Sequence, residues 1–159
     1  MTDNDQHASE SSKDDDDRKI MIWTNKIETY LLEIRDKTTE HIKEHRRNYN
    51  KYKNFFYGIN IPEAIILFVL SSLTMDYKNT NELLTNILTI TAGILSLINA
   101  FIDPGKLYTQ HIQYVHLYEE LIQEIDIELV KSKKLRMDAD LFLQKINSNY
   151  TNLNNKAPN

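Results

Sequence analysis

Apolar and polar positions along this chain follow two different patterns, and the boundary between them is sharp. From Leu83 to Ile102 twenty residues pass without a charge. At about 1.5 Å of rise per residue, a helix of that length spans roughly 30 Å, the hydrocarbon thickness of a bilayer. A second apolar stretch, from Phe55 to Met75, carries one charge, Glu63, immediately after Pro62. The two are joined by Asp76-Tyr77-Lys78-Asn79-Thr80-Asn81-Glu82, a polar link too short to cross back and full of turn formers. This pattern predicts a transmembrane helical hairpin, with the first span over 55–76, the link over 77–82 and the second span over 83–103.

On either side of the hairpin the apolar residues fall into helical periodicity. Trp23, Ile27, Tyr30, Ile34, His41, His45, Tyr49 and Tyr52 recur at spacings of three and four, or their sum, and mark one face of a long amphipathic helix over 19–54. Beyond the hairpin, Asp103-Pro104-Gly105 is expected to break the helix. His111, Val115, Tyr118, Ile122, Ile125 and Leu129 then keep heptad spacing, a seam that calls for a partner. The first amphipathic helix, packed antiparallel, is the simplest one. Lys131-Ser132-Lys133-Lys134 should loosen or end that helix, and a shorter one with Leu141, Phe142 and Ile146 completes 104–150. The Asn-rich residues 151–159 and the acidic residues 1–18, which end in Asp14-Asp15-Asp16-Asp17, read as disordered tails. The aspartate run is a solvated tail in preference to a calcium site, because adjacent carboxylates on flexible backbone make no fixed coordination shell. The expected fold is therefore all-α: a membrane hairpin plus long amphipathic cytosolic helices packed as a stalk or coiled coil.

Composition sharpens the picture in three places. Three glycines and three prolines in 159 residues argue for helix and against strands and turns. The absence of cysteine excludes disulfides and thiolate metal sites. A net charge of −4 gives no case for nucleic-acid binding. Basic residues fix the expected orientation: Lys43, Arg46, Arg47, Lys51 and Lys53 precede the first span and Lys106 follows the second, whereas the link offers only Lys78. Both termini are thus expected in the cytosol. With no signal peptide in the leading residues, the hairpin itself is expected to direct insertion. Tyr49, Tyr52, Phe55, Phe56 and Tyr57, interleaved with Arg47, Lys51 and Lys53, read as an interfacial belt in preference to a nucleic-acid stacking patch.

The candidate functional residues lie inside the hairpin. A carboxylate within a membrane segment faces a bundle interior, a partner or water by default, and Glu63 is such a residue. Asn60, Glu63, Leu67, Ser71 and Thr74 share one side of the first span. Asn86, Thr89, Gly93, Ser96, Ala100 and Asp103 form a stripe on the second. Folding the hairpin about its link sets Asn60 beside Asn99, Glu63 beside Ser96 and Thr74 beside Thr85. Asn60, Glu63, Ser96 and Asn99 are therefore the expected intramembrane polar contact or lumen set. Ala92, Gly93, Ser96 and Ala100 supply the small residues that permit close helix packing. Three readings of the stripe stand together: packing within the hairpin, contact within an oligomer, and a wet lumen. Glu63 also lies near enough to the start of its span to snorkel outward.

His41-Ile42-Lys43-Glu44-His45 matches H-x-x-E-H, a pattern that in one zinc-peptidase class sets two imidazoles and a general base on one helix face. Both histidines also fall on the amphipathic seam, where packing against the later helix near His111 or Glu119 is the preferred reading. No glycine-rich phosphate loop and no nucleophile elbow is present. The chain is read as non-enzymatic, with no metal and no cofactor. Its expected partners are the lipid bilayer, further copies of itself and a protein bound through the cytosolic helices, with no nucleic acid.

The layout resembles the SLATT family of small two-span membrane proteins, in particular versions associated with large DNA viruses of eukaryotes. The resemblance covers about Ile20 to Pro158. It rests on Trp23 in the leading helix, Ile61-Pro62 at the start of the first span and the short link. Gly93-Ile94-Leu95-Ser96-Leu97-Ile98, the opening His111-Ile112-Gln113-Tyr114, and Phe142-Leu143 with Ile146, Tyr150 and Pro158 complete it. The resemblance implies a membrane effector that forms pores or perturbs membranes. A viral source would favour a structural membrane protein whose stalk binds a capsid or core component. The family carries no catalytic motif.

Overall fold

The computed structural model describes residues 23–75 and 81–158, with the side chains at 74 and 75 excepted. It comprises α1 (Asn25–Met75), α2 (Glu82–Ile102), α3 (Pro104–Val130) and α4 (Ala139–Lys156), with no strand among the described residues. The acidic tail 1–18, most of the link and the Thr74–Thr85 match lie outside the described residues.

Thr24 starts α1: its carbonyl accepts from the Ile27 and Glu28 N–H groups, and its hydroxyl accepts from Ile27 N at 3.4 Å. The helix then runs 51 residues, about 75 Å at the standard rise. The stretches expected over 19–54 and 55–76 are thus one continuous element through Pro62. Proline removes one backbone donor here, the partner of the Gly58 carbonyl. Asn60 adds a bond in the same turns, Nδ2 donating to the Phe56 carbonyl at 2.8 Å.

One residue separates α2 from α3. Asp103 takes the left-handed conformation (φ 42°, ψ 58°), which asparagine and aspartate tolerate better than most side chains. Its N–H donates to the Asn99 carbonyl at 2.9 Å and closes α2. Its Oδ1 accepts from Lys106 N at 3.2 Å and opens α3, with Pro104 in the first turn where a missing N–H costs nothing. At Gly105 a Cβ would stand 3.3 Å from Phe56 Cε2, so the absence of a side chain lets α3 close on α1.

Contacts order the helices. Along α1, Arg35 and Arg46 pair with Asp126 and Glu119 of α3, and Glu28 with Arg136 beyond its end, so α3 runs antiparallel to α1. Beyond, Asn60 meets Asn99, so α2 continues that antiparallel course. The last helix, α4, returns along α3, with Lys145 paired to Glu124 and Tyr118 to Asn154. The core lies where α1, α3 and α4 meet: Trp23, Ile27, Leu31, Ile34, Leu121, Ile125, Ala139, Phe142 and Ile146. A fully buried Leu, Ile or Phe there contributes about 1.5–3 kcal/mol.

Three details depart from the sequence pattern. Leu31 is fully buried and Tyr30 is 42% exposed, its hydroxyl reaching Asn147 Oδ1 at 2.9 Å. On α3, Leu121 and Glu128 are buried in preference to Ile122 and Leu129, which are half-buried. A helix with two neighbours, α1 and α4, buries a wider face than a two-helix seam. A straight helix of 3.6 residues per turn also drifts off a strict heptad. Finally, α4 continues six residues past Tyr150, because Tyr118 Oη donates to Asn154 Oδ1 (2.8 Å) and Tyr114 Oη to the Lys156 carbonyl (2.6 Å).

The far end of the bundle is closed by Arg136. Its guanidinium lies 4.8 Å from the Trp23 ring centre and donates to Glu28 Oε1 (2.6 Å), the Leu129 carbonyl (2.6 Å) and the Lys131 carbonyl (3.0 Å). Trp23 Nε1 donates to the Met137 carbonyl at 2.8 Å. Beside it Glu128 accepts from Met137 N and from Lys131 Nζ. Burial alone would raise the Glu128 carboxyl, yet these donors hold it below the usual range.

Candidate functional site

The second half of α1 and the whole of α2 form an apolar hairpin, most of whose described side chains are exposed. Phe68 is 74% exposed and Phe101 87% exposed, and among the described residues of 55–102 only Ile59 and Ala92 are buried. Both helices are long and apolar enough to cross a membrane, and only 6% of the most apolar 18-residue window of either is buried. A core helix of a soluble protein would show the opposite.

Within the hairpin the structure brings together Asn60 and Asn99, Asn99 Nδ2 donating to Asn60 Oδ1 at 3.2 Å. Asn60 simultaneously donates to the Phe56 carbonyl, so one amide links the helices and the backbone of the turn before Pro62. Glu63 is half-buried and has no hydrogen-bond or ion-pair partner among the described residues. Ser96 is exposed. The small residues divide: Ala92 is buried, whereas Gly93, Ser96 and Ala100 face outward, and a Cβ added at Gly93 would meet nothing within 4 Å.

Between hairpin and core lies an aromatic and histidine layer. Phe56 and Tyr49 pack against Tyr108, with ring centres 5.5 and 6.0 Å apart, and Lys53 covers the Tyr49 ring. One turn further, His45 of α1 and His111 of α3 face each other, Nδ1 to Nδ1, at 2.8 Å. They are 5% and 0% exposed. Tyr52 stacks on His111 (5.6 Å, 6° between planes), and Tyr114 and Tyr118 stack on His45. His111 Nε2 is buried without a partner among the described residues. Burial lowers the affinity of both rings for a proton; His111 adds to the effect on His45, and Glu44 opposes it on both. Burial likewise pushes the Tyr118 phenol up to about 12, so it stays a neutral donor to Asn154.

The H-x-x-E-H residues therefore part company. His41 stacks on Tyr118 and meets Tyr150 Oη at 3.3 Å, His45 turns to His111, and Glu44 is exposed. The seam reading of these histidines carries a signal in their helical spacing. Arg136 and Glu128 carry none, being charged, whereas Thr38 fills the gap between Ile34 and His41 on the same face, and its hydroxyl is satisfied there by donating back to the Ile34 carbonyl at 2.7 Å.

Comparison with family models, curated proteins and solved structures found no match to this chain.

Proposed function

We propose that the chain is a non-enzymatic integral membrane protein that spans the bilayer twice and presents its helical bundle, with both termini, to the cytosol. One observation carries this reading. Among the described residues of 55–102 most apolar side chains are exposed and only Ile59 and Ala92 are buried, whereas the buried core cluster lies in the bundle outside the hairpin. Leaving this much contiguous apolar surface in water is untenable for a monomer, and lipid is the solvent that removes the cost. Gly93, Ser96 and Ala100, small and outward-facing, support self-association of the hairpins within the membrane. Glu63, half-buried and without a partner among the described residues, supports a role as a polar group toward water or another copy. The function proposed is that of a membrane effector that forms a pore or perturbs the bilayer, the role implied by the SLATT resemblance.

A second reading, a membrane scaffold whose bundle binds a structural partner such as a capsid or core component, is favoured by a separate observation. Ile127, Val130, Leu135 and Leu141, at the end of the bundle far from the hairpin, are 58–87% exposed. Two measurements separate the readings. Resistance to carbonate extraction tests membrane integration, and loss of the protein to the soluble fraction would end both. Ion flux from liposomes reconstituted with the full chain then tests the effector. Flux abolished by Glu63→Gln supports a polar pathway, whereas tight vesicles with inserted protein leave the scaffold.

A further inference from the structure

The His45–His111 contact is the only point at which two titratable side chains face each other, buried, across the α1–α3 seam among the described residues, and its chemistry is asymmetric in protons. With both rings neutral, one Nδ1–H donates to the other Nδ1 across 2.8 Å. A first proton places charge in a buried layer in which His111 Nε2 already lacks a partner among the described residues. A second leaves two N–H donors pointing at each other with no acceptor between them. We propose that this pair is a proton-sensitive latch: neutral, it holds α3 on α1 beside the apolar hairpin, and protonated, it lets the two helices part at that level.

The surroundings fit a device and not an inert core contact. From α1 the pair is flanked by His41, Glu44 and Tyr52, and from α3 by Tyr114 and Tyr118. From α4, Tyr150 and Asn154 reach His41 and Tyr118. Glu44 is the one carboxylate acting on both rings, and it is exposed. The nearest ion pair, Arg46–Glu119 at 2.8 Å with His116 beside it, lies on the outer surface. Protons have a way in: a polar cleft of about 240 Å³, lined by His41, Glu44, His45, Asn48, Tyr118 and Asn154, opens on His45. Because burial holds both rings below the ordinary imidazole range, the unfolded or parted state binds protons more readily. The latch is therefore fully closed above about pH 6.5 and weakens as pH falls from there toward the lowered values.

The chain has no cysteine, so a labelled pair can be introduced cleanly at the exposed Lys43 and Gln113. Pulsed spin-label distances on the full chain in detergent should show one narrow distribution at about pH 7.5 and a longer, broad one at about pH 5. With His45→Gln and His111→Gln together the short distance should persist at both, and His116→Gln should leave the transition where it was. An unchanged wild-type distance at low pH, or opening of the double variant as in the wild type, would overturn the proposal. A measurement that needs no folded variant stands beside these. Ring nitrogen shifts of the wild-type histidines should give midpoints for His45 and His111 below that of histidine in an unstructured peptide and coincident with the distance change. Ordinary midpoints for both rings would equally overturn it.

Discussion

Replacing Arg136 by alanine removes the closure at the far end of the bundle, and the geometry sets the size of the effect. The side chain is 8% exposed and makes three charge-assisted contacts: Glu28 Oε1 and the Leu129 carbonyl at 2.6 Å, and the Lys131 carbonyl at 3.0 Å. Its plane also covers the Trp23 ring. Hydrogen bonds to charged groups contribute about 1.5–3 kcal/mol each, and a partly desolvated cation on a tryptophan about 0.5–2 kcal/mol. The sum overstates the loss, because Lys133 remains beside Glu28 at 3.3 Å and water can reach the carbonyls once the side chain is gone. A loss of about 3 kcal/mol is expected for Arg136→Ala. Arg136→Lys keeps the charge but not the fork, and should lose roughly half as much. The assay is urea unfolding of the full chain in detergent, followed by far-ultraviolet circular dichroism and by the emission of Trp23, the single tryptophan. The Glu28 carboxyl adds a pH arm. The Arg136 bond holds it below the usual range against the opposing effect of burial. Its contribution is present above the ordinary carboxylate range and is lost as pH falls through the lowered value. That acid-side loss should shrink in Arg136→Ala. A cost under about 1 kcal/mol, the behaviour of an exposed ion pair, would refute the reasoning, as would full rescue by lysine.

Three further outcomes are expected. Leu31→Ala, at a fully buried position, should cost about 2–5 kcal/mol in the same unfolding assay, and Leu32→Ala, at a position 42% exposed, under about 1 kcal/mol; a reversal would mean that the other face of α1 meets the core. Asp103→Ala should cost about 1–3 kcal/mol through the lost cap on Lys106 N and the left-handed backbone, and Asp103→Gly clearly less, since glycine tolerates that conformation; equal losses would show that the backbone is irrelevant. Asn99→Leu, which removes the bond to Asn60, should cost only about 0.6–2 kcal/mol in the proposed lipid setting, so its resistance to carbonate extraction should match the wild type; release to the soluble fraction would overturn this.

How much of this could be read from the sequence depends on how local each cause is. The uncharged run from Leu83 to Ile102 and the break at Asp103-Pro104-Gly105 are written in neighbouring residues and appear where the pattern puts them. The depth match of Asn60 to Asn99 follows from folding an antiparallel pair about its link. Depth does not set rotation about a helix axis, which is why Ser96, matched in depth to Glu63, is exposed. The exchange of Tyr30 for Leu31, and of Ile122 for Leu121, depends on where α4 docks, information spread over a hundred residues of chain. The continuation of α1 through Pro62 overrides a local rule, and the last turns of α4 look like a polar tail until tyrosine hydroxyls from α3 are placed against them.

The unbroken course of α1 gives the molecule unequal rails. One is a shaft about 75 Å long, joining bundle to hairpin without a joint; the other, α2 followed by α3, has an elbow one residue wide at Asp103. A rotation of α1 in the bundle is carried to the hairpin through continuous helix, whereas α2 and α3 meet only through the single residue Asp103. Inserting a single residue in the shaft near Asn54 would turn the hairpin about 100° against the bundle, a change of phase that the elbow would absorb if the same insertion were made there.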